Sequence, residues 1–167
     1  TPGYTRIGGT STLVPDLLTS ATGYQPIKYV MESKYDGPNS ESENDMPIFR
    51  TAEVLLNLAE AKAELGTLTQ GDLDKTIGQI RSRVGMPPLN MVDANIDPDP
   101  YLLDPKTGYP QVKGQNQGVI LEIRRERTIE LIMEGFRYYD MMRWKEGKTF
   151  ESDYHGIYIP GLGFYDF

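Results

Sequence analysis

Residues 124–137 combine apolar positions at helical spacing with an unusual density of charges (RRERTIELIMEGFR). Side chains three and four positions apart are neighbours on a helix. One face of this helix is therefore formed by Ile120, Ile123, Arg127, Leu131 and Glu134. Arg127 takes the place of an apolar residue within that hydrophobic stripe. An unpaired buried guanidinium is very costly, so the fold must surround Arg127 with carboxylates or carbonyl groups.

Partners for Arg127 are available on the same stretch and on an earlier helical segment. Paired arginine and carboxylate groups have a directional geometry that hydrophobic packing lacks, so such contacts fix how helices dock. Paired ions do not by themselves imply catalysis. We therefore predict a structural ion network, called here the predicted network, that consists of Glu53, Glu60, Arg127, Glu130, Glu134, Arg137, Asp140 and Arg143.

The apolar periodicity predicts four helices, over residues 47–65, 71–84, 117–134 and 136–145. Gly66 and Gly85 supply stops for the first two helices. Residues 89–116 form a long insertion rich in Pro, Asp, Asn and Gly. We predict a mostly α fold of tetratricopeptide-like helix hairpins with long irregular loops. It divides into a loop-rich lead-in (1–45), a helical region (46–146) and an aromatic loop tail (147–167), within one domain that is a fragment of a larger protein.

Composition excludes several classes of function. The formal net charge of −7 argues against a nucleic-acid partner, which requires clustered Lys and Arg. Cysteine is absent and His155 is the one histidine, so neither thiolate nor multi-histidine metal sites are expected. No cofactor is expected. The insertion carries aspartates, but their spacing does not reproduce the roughly 12-residue calcium loop, so calcium stays a minor alternative.

Several segments resemble the signature of the SusD/RagB family of outer-membrane glycan-binding lipoproteins. Residues 126–131 (ERTIEL), 134–137 (EGFR) and 140–144 (DMMRW) are similar to its charged helical motif. Residues 48–61 (IFRTAEVLLNLAEA) and 80–87 (IRSRVGMP) resemble two further elements, and 156–161 (GIYIPG) is similar to its closing segment. The resemblance covers about residues 46–162. Two positions depart from the pattern: Thr128 stands where Arg is common, and Phe136 where a polar residue is frequent.

The resemblance implies a carboxy-terminal portion of a non-enzymatic protein that captures oligosaccharide or polysaccharide. Its expected partner is a SusC-like TonB-dependent outer-membrane barrel, to which the glycan is delivered. The expected location is the outer face of the outer membrane, with lipid anchoring through a segment absent from this chain. The sugar-binding residues of the family vary, so the resemblance assigns none to this sequence.

Physical chemistry supplies glycan-binding candidates of its own. A glycan platform needs exposed aromatic rings beside amides or carboxylates. The insertion combines these groups, so the candidates are Tyr101, Tyr109, Asn95 and Asn116. Trp144 closes the fourth predicted helix and is expected to be core rather than a sugar platform.

Two other classes of protein remain as alternatives. A tetratricopeptide-like scaffold for protein partners, without sugar binding, would carry tandem units of about 34 residues, whereas this chain has one long insertion. A two-carboxylate glycoside hydrolase would need free carboxylates at a cleft. Glu126, Glu130 and Glu134 are instead interleaved with arginines. We therefore expect that the chain is not an enzyme.

Overall fold

A computed structural model of the chain describes residues 28, 29, 45 and 47–153. Apart from residues 28, 29 and 45, the predicted lead-in (1–45) lies outside the described residues. The tail is described only as far as residue 153. Within the described part, residues Pro47–Ser152 form a compact unit.

The described part of the chain is helical, and the prediction of a mostly α, tetratricopeptide-like fold is confirmed. A short 3-10 helix, Gly147–Glu151, follows the last α-helix. The α-helices are α1 (Thr51–Glu64), α2 (Gln70–Lys75), α3 (Ile77–Arg83), α4 (Met91–Ile96), α5 (Pro100–Leu103), α6 (Gln117–Glu130) and α7 (Arg137–Arg143). No helix among these has the length and apolar character that crossing a bilayer requires.

The first predicted helix starts later than the sequence indicated. Residues Ile48 and Phe49 are 82% and 89% exposed and precede α1, which begins at Thr51. The buried face of α1 is formed by Leu56, Ala59, Glu60 and Ala63. Leu58 of α1 is apolar but 46% exposed.

The second predicted helix is divided at Thr76 into α2 and α3. The backbone of Thr76 has φ −118° and ψ −88°, outside the helical region. Its hydroxyl donates to the carbonyl oxygen of Asp72 over 2.7 Å, a local bond through which threonine competes with regular helix. Thr69 and Asp72 form a capping box at the start of α2. The apolar side chains of both helices still reach the core, because Leu73, Ile77 and Ile80 are buried.

The insertion 89–116 is more ordered than its composition predicted, because it contains α4 and α5. Asn90 caps α4 by accepting from the backbone N–H groups of Val92 and Asp93. Asp99 caps α5 by accepting from the N–H of Tyr101, with Pro100 at the first helical position.

The third predicted helix ends four residues early, at Glu130. Met133 and Gly135 follow with φ of +64° and +82°, a left-handed conformation that ends helices and that glycine adopts readily. Residues 131–135 form a turn that leads into α7.

Helix α6 lies at the centre of the fold, packed against α1, α4 and α5. Its residues Gly118 to Arg124 are all buried, so it faces protein on several sides. Gly118 permits the closest approach, because a Cβ there would lie 1.7 Å from the carbonyl oxygen of Ala94 in α4. Helix α1 packs against α2 and α3 as the tetratricopeptide-like hairpin.

Candidate functional site

Helix α6 buries four charged side chains, each no more than 8% exposed: Glu122, Arg124, Glu126 and Arg127. Burial of an unpaired charge would cost several kcal/mol, so each of these groups needs a partner from another element. The partners come from different neighbours of α6. The charges therefore specify which element lies on which side of the central helix.

Arg81 of α3 joins α3 to α6. Its Nε donates to Glu126 over 2.6 Å, and its Nη2 donates to Glu122 over 3.3 Å. Glu122 also accepts from Arg125, which in turn donates to Asp99 over 2.6 Å at the start of α5. Side chains from three elements are thereby joined at one face of α6.

Four members of the predicted network meet between α1, α6 and α7, and we call them the central cluster: Glu60, Arg127, Asp140 and Arg143. Arg127 Nε donates to Asp140 over 2.7 Å, and Asp140 accepts from Arg143 Nε over 2.9 Å. Arg143 donates to both carboxylate oxygens of Glu60. Helices α1, α6 and α7 are thus joined by one continuous set of ion pairs.

Glu60 stays ionised within this cluster. Burial alone would raise its pKa, but hydrogen bonds from Arg143 and from the Trp144 indole outweigh burial and hold the pKa below its ordinary value. The indole Nε1 donates to Glu60 over 2.6 Å. Trp144 is 6% exposed, so it belongs to the core, as the sequence predicted.

Glu130 and Glu134 pair with Arg50, not with Arg127. The guanidinium of Arg50 makes two bonds to Glu134, of 3.0 and 2.6 Å, and one of 2.8 Å to Glu130. These contacts raise the pKa of Arg50 above its ordinary value, with the Glu134 hydrogen bond as the largest cause. Glu130 also pairs with Arg83 over 2.6 Å. Sequence reasoning missed Arg50, although it stands within the segment 48–61 that resembles a family motif.

Two residues of the predicted network are placed differently. Arg137 contacts no carboxylate among the described residues; its Nη1 donates to the hydroxyl groups of Tyr109 and Thr128 over 2.9 and 2.8 Å. Glu53 is half-buried and makes no ion pair within the described part of the chain. Glu53 lies about two helical turns before Glu60, the residue through which α1 reaches the central cluster.

Arg124 contacts both carboxylates and aromatic rings. Its Nη2 donates to Glu64 over 3.3 Å. Its guanidinium carbon lies 4.7 Å from the centre of the Trp144 ring and 5.7 Å from that of Tyr109, within cation–π range. Its Nη1 is 3.7 Å from Glu146, close enough for an ion pair but too far for a hydrogen bond. Burial lowers the pKa of Arg124 and raises that of Glu146.

Comparison with models of known protein families identified one match. The model of the SusD family matches residues 1–158 of the chain. The chain belongs to the SusD family. Searches of curated proteins and of solved structures found no match. The family match begins at residue 1, so it also includes the lead-in that lies before the recognised motifs.

The two departures of this SusD-family chain from the family pattern have local partners. The Thr128 hydroxyl lies 2.8 Å from the hydroxyl of Tyr109 and donates to the backbone oxygen of Arg124. The ring of Phe136 lies 5.4 Å from the guanidinium of Arg127. Neither substitution leaves the neighbouring arginine without a contact.

Three of the four glycan-binding candidates have structural contacts in this SusD-family chain. Tyr109 is only 3% exposed and packs edge-to-face on Trp144 at 5.4 Å, so its ring is not available as a platform. Asn95 accepts from the N–H of Val119, an otherwise unpaired donor in the first turn of α6. Asn116 donates to the carbonyl oxygen of Ala63 near the end of α1. Tyr101 is 62% exposed and keeps the accessibility that sugar binding requires.

An exposed aromatic surface that sequence reasoning missed lies on α7 and the 3-10 helix. Tyr138 is perpendicular to Tyr139 at 5.6 Å and stacks with Phe150 at 6.4 Å. All three rings are exposed. Tyr138 and Tyr139 stand next to each other within the fourth predicted helix, but no sequence pattern marked both rings as exposed. Among the described residues, no group of three or more His, Cys, Asp or Glu side chains is arranged to hold a metal ion.

Proposed function

We propose that this chain is a non-enzymatic nutrient-binding component that captures oligosaccharide and delivers it to a SusC-like TonB-dependent barrel. The observation that carries the proposal is the family match over residues 1–158. In this proposal the protein works at the outer face of the outer membrane as a lipid-anchored protein. Proteins of the SusD family generally bind glycans and do not cleave them.

The state of the signature carboxylates supports binding over hydrolysis. A two-carboxylate glycosidase needs one protonated acid and one free carboxylate facing the scissile bond. Glu126 and Asp140 are instead buried against Arg81 and Arg127. Glu60 is bonded to Arg143 on both oxygens. These groups are occupied in holding helices together.

Exposed aromatic rings support carbohydrate as the ligand class. Sugar rings present C–H faces that pack on aromatic rings, and the neighbouring hydroxyl groups need polar partners. Within this proposal the first candidate is Tyr101, and the second is the surface formed by Tyr138, Tyr139 and Phe150. We expect Tyr101→Ala or Tyr139→Ala to weaken binding of a recognised polysaccharide without lowering the thermal midpoint. Tyr109→Phe should lower the thermal midpoint without weakening polysaccharide binding, because Tyr109 is buried and its hydroxyl forms hydrogen bonds with Thr128 and Arg137.

The decisive experiment uses the intact protein as bait in a pull-down from detergent-solubilised outer membranes, together with a polysaccharide panel in affinity electrophoresis. Recovery of a TonB-dependent barrel and retardation by at least one polysaccharide would support the proposal. Recovery of soluble proteins, with no retardation on any polysaccharide, would favour a tetratricopeptide-like scaffold. Release of new reducing ends from the panel would contradict the non-enzymatic assignment.

A further inference from the structure

A cavity of about 240 Å³ opens to solvent beside the central cluster. Its lining comes from α1, α6 and α7 and consists of Asn57, Glu60, Ala61, Glu64, Arg127 and Arg143. Pockets for drug-sized ligands have volumes of about 300–1,000 Å³, so this one has room for a single small unit. It is too small for an oligosaccharide and is separate from Tyr101 and from the aromatic surface of α7.

Fixed hydrogen-bond donors line one side of the cavity. Arg127 is 4% exposed and is immobilised by Asp140 and by Asn57, whose Oδ1 accepts from Nη1 over 2.7 Å. The Nη2 group of Arg127 makes no hydrogen bond with any described residue. Oδ1 of Asn57 accepts from Arg127, so the Nδ2 group of Asn57 is available to donate to a ligand. Two donors are therefore held in place before any ligand arrives, which lowers the entropic cost of binding.

An acceptor lies on the same surface. Oε1 of Glu64 accepts a long bond of 3.3 Å from Arg124, and Oε2 has no partner in the described part of the chain. The Glu64 side chain is 49% exposed, so this oxygen is accessible. Glu60, by contrast, is fully engaged by Arg143 and Trp144 and forms a rigid wall.

The charges of the lining balance, since two carboxylates face two guanidinium groups. An anion would be attracted by Arg127 but repelled by Glu64. A cation would be attracted by Glu64 but repelled by Arg127. A hydroxyl group can both accept from the donors and donate to the carboxylate without carrying a charge. A pair of neighbouring hydroxyls on a sugar ring matches this alternation of donors and acceptor.

We propose that this cavity binds one neutral monosaccharide unit, with its hydroxyls accepting from Arg127 Nη2 and Asn57 Nδ2 and donating to Glu64. The proposal rests on the proposed function and deepens it, because it adds a polar subsite for one sugar unit to the aromatic surfaces. Ala61 supplies the small apolar contact at the cavity surface.

Trp144 provides a direct reporter for the test. It is the one tryptophan of the chain, and its indole N–H donates to Glu60 at the wall of the cavity. The indole gives a single ¹H–¹⁵N signal. We expect glucose, galactose or mannose, titrated into the full chain, to shift this signal saturably with a dissociation constant in the millimolar range.

A variant that fills the cavity tests whether the hexose binds there. Ala61→Leu adds volume at an exposed position of α1 and leaves every ion pair in place. Leucine is a strong helix former, so α1 should remain intact. Val54→Leu is the control, since Val54 is also exposed on α1 but does not line the cavity. Ala61→Leu should weaken hexose binding by about tenfold or more, whereas Val54→Leu should leave it unchanged.

The outcomes separate this cavity from the proposed function. Absence of a saturable shift with all three hexoses, or equal affinity in Ala61→Leu, would overturn the monosaccharide site. A shift with acetate or glucuronate alone would overturn it too, because the site would then be an anion site. If the monosaccharide site is overturned in one of these ways but a polysaccharide still retards the protein, the proposed function stands. A saturable hexose shift that Ala61→Leu removes supports the cavity, even if no polysaccharide retards the protein.

Discussion

Arg127 donates to Asp140 across 2.7 Å, and both side chains are only 5% exposed. The pair joins α6 to α7 from inside the core. Arg127 occupies a position in the apolar stripe of α6 at which an apolar residue would be expected. Asp140 has a second partner in Arg143, whose own partner is Glu60 of α1. A buried pair of this kind is expensive to break from one side and much less expensive to replace as a whole.

Arg127→Leu should therefore destabilise the protein strongly. The substitution leaves Asp140 buried with Arg143 as its remaining partner, so we expect a loss near the lower end of about 3–5 kcal/mol. Replacing both residues, Arg127→Leu with Asp140→Leu, should recover part of that loss. Urea unfolding of the wild type, both single variants and the double variant gives the coupling energy.

The matched control for Arg127 is an exposed arginine with one carboxylate partner. The Arg83 side chain is 60% exposed and pairs with Glu130, so Arg83→Leu should cost no more than about 1 kcal/mol. Equal losses in Arg127→Leu and Arg83→Leu would contradict a buried network.

Gly118→Ala should disrupt the packing of α4 on α6. The added Cβ would lie 1.7 Å from the carbonyl oxygen of Ala94, so the backbone must move apart. Overpacking of this kind costs about 1–3 kcal/mol and sometimes more. Gly71→Ala is the control: its nearest neighbour would be Thr69 Oγ1 at 3.9 Å, and alanine should stabilise by about 0.4–1 kcal/mol. Thermal unfolding of both variants should give shifts of opposite sign.

Periodicity predicted which side chains are anomalous but not with which groups they pair. The position of Arg127 within an apolar stripe indicated a buried, paired guanidinium. The sequence also offered Glu130 and Glu134 on the same segment. Their side chains instead turn to Arg50, because α6 ends at Glu130 and the left-handed residues that follow redirect the chain. The choice of partner depends on that turn, which local helix propensity does not encode.

Composition indicated an exposed loop around the glycan-binding candidates, but the fold gives three of them structural contacts. Asn95 and Asn116 stand in a segment that has the composition of a surface loop. Both amides are used by helix ends brought close in the fold, at Val119 and at Ala63. Tyr109 packs against Trp144 in the core. These are tertiary contacts between distant segments, so no sequence window contains both partners.

Asn95→Ala tests the structural role of one of these amides. The variant leaves the Val119 N–H of α6 unpaired, which should cost about 0.5–2 kcal/mol, the usual loss for a helix cap. Gln115→Ala, an exposed change shortly before α6, should be close to neutral. The measurement is thermal unfolding together with retardation by a recognised polysaccharide. A lost retardation at unchanged thermal midpoint would instead assign Asn95 to glycan binding.

Glu60 should contribute to the pH dependence of the free energy of unfolding. Its pKa is held below the ordinary 4.5 in the folded protein, because the hydrogen bonds from Arg143 and Trp144 outweigh burial. A carboxyl group of this kind stabilises the folded state above its unfolded pKa, and that contribution is lost as the pH falls through the folded pKa. The stability difference between wild type and Glu60→Gln should therefore shrink as the pH falls below 4.5.

Comparison with the variant is needed because Glu146 acts in the opposite direction. Burial raises the pKa of Glu146, so its contribution is present at low pH and is lost as the pH rises through that raised value. Glu146 is unchanged in Glu60→Gln, so its effect cancels in the difference between the two urea-unfolding profiles. Profiles that stay parallel through the acid range would mean that Glu60 is not held ionised by Arg143, and the central cluster would lose its link to α1.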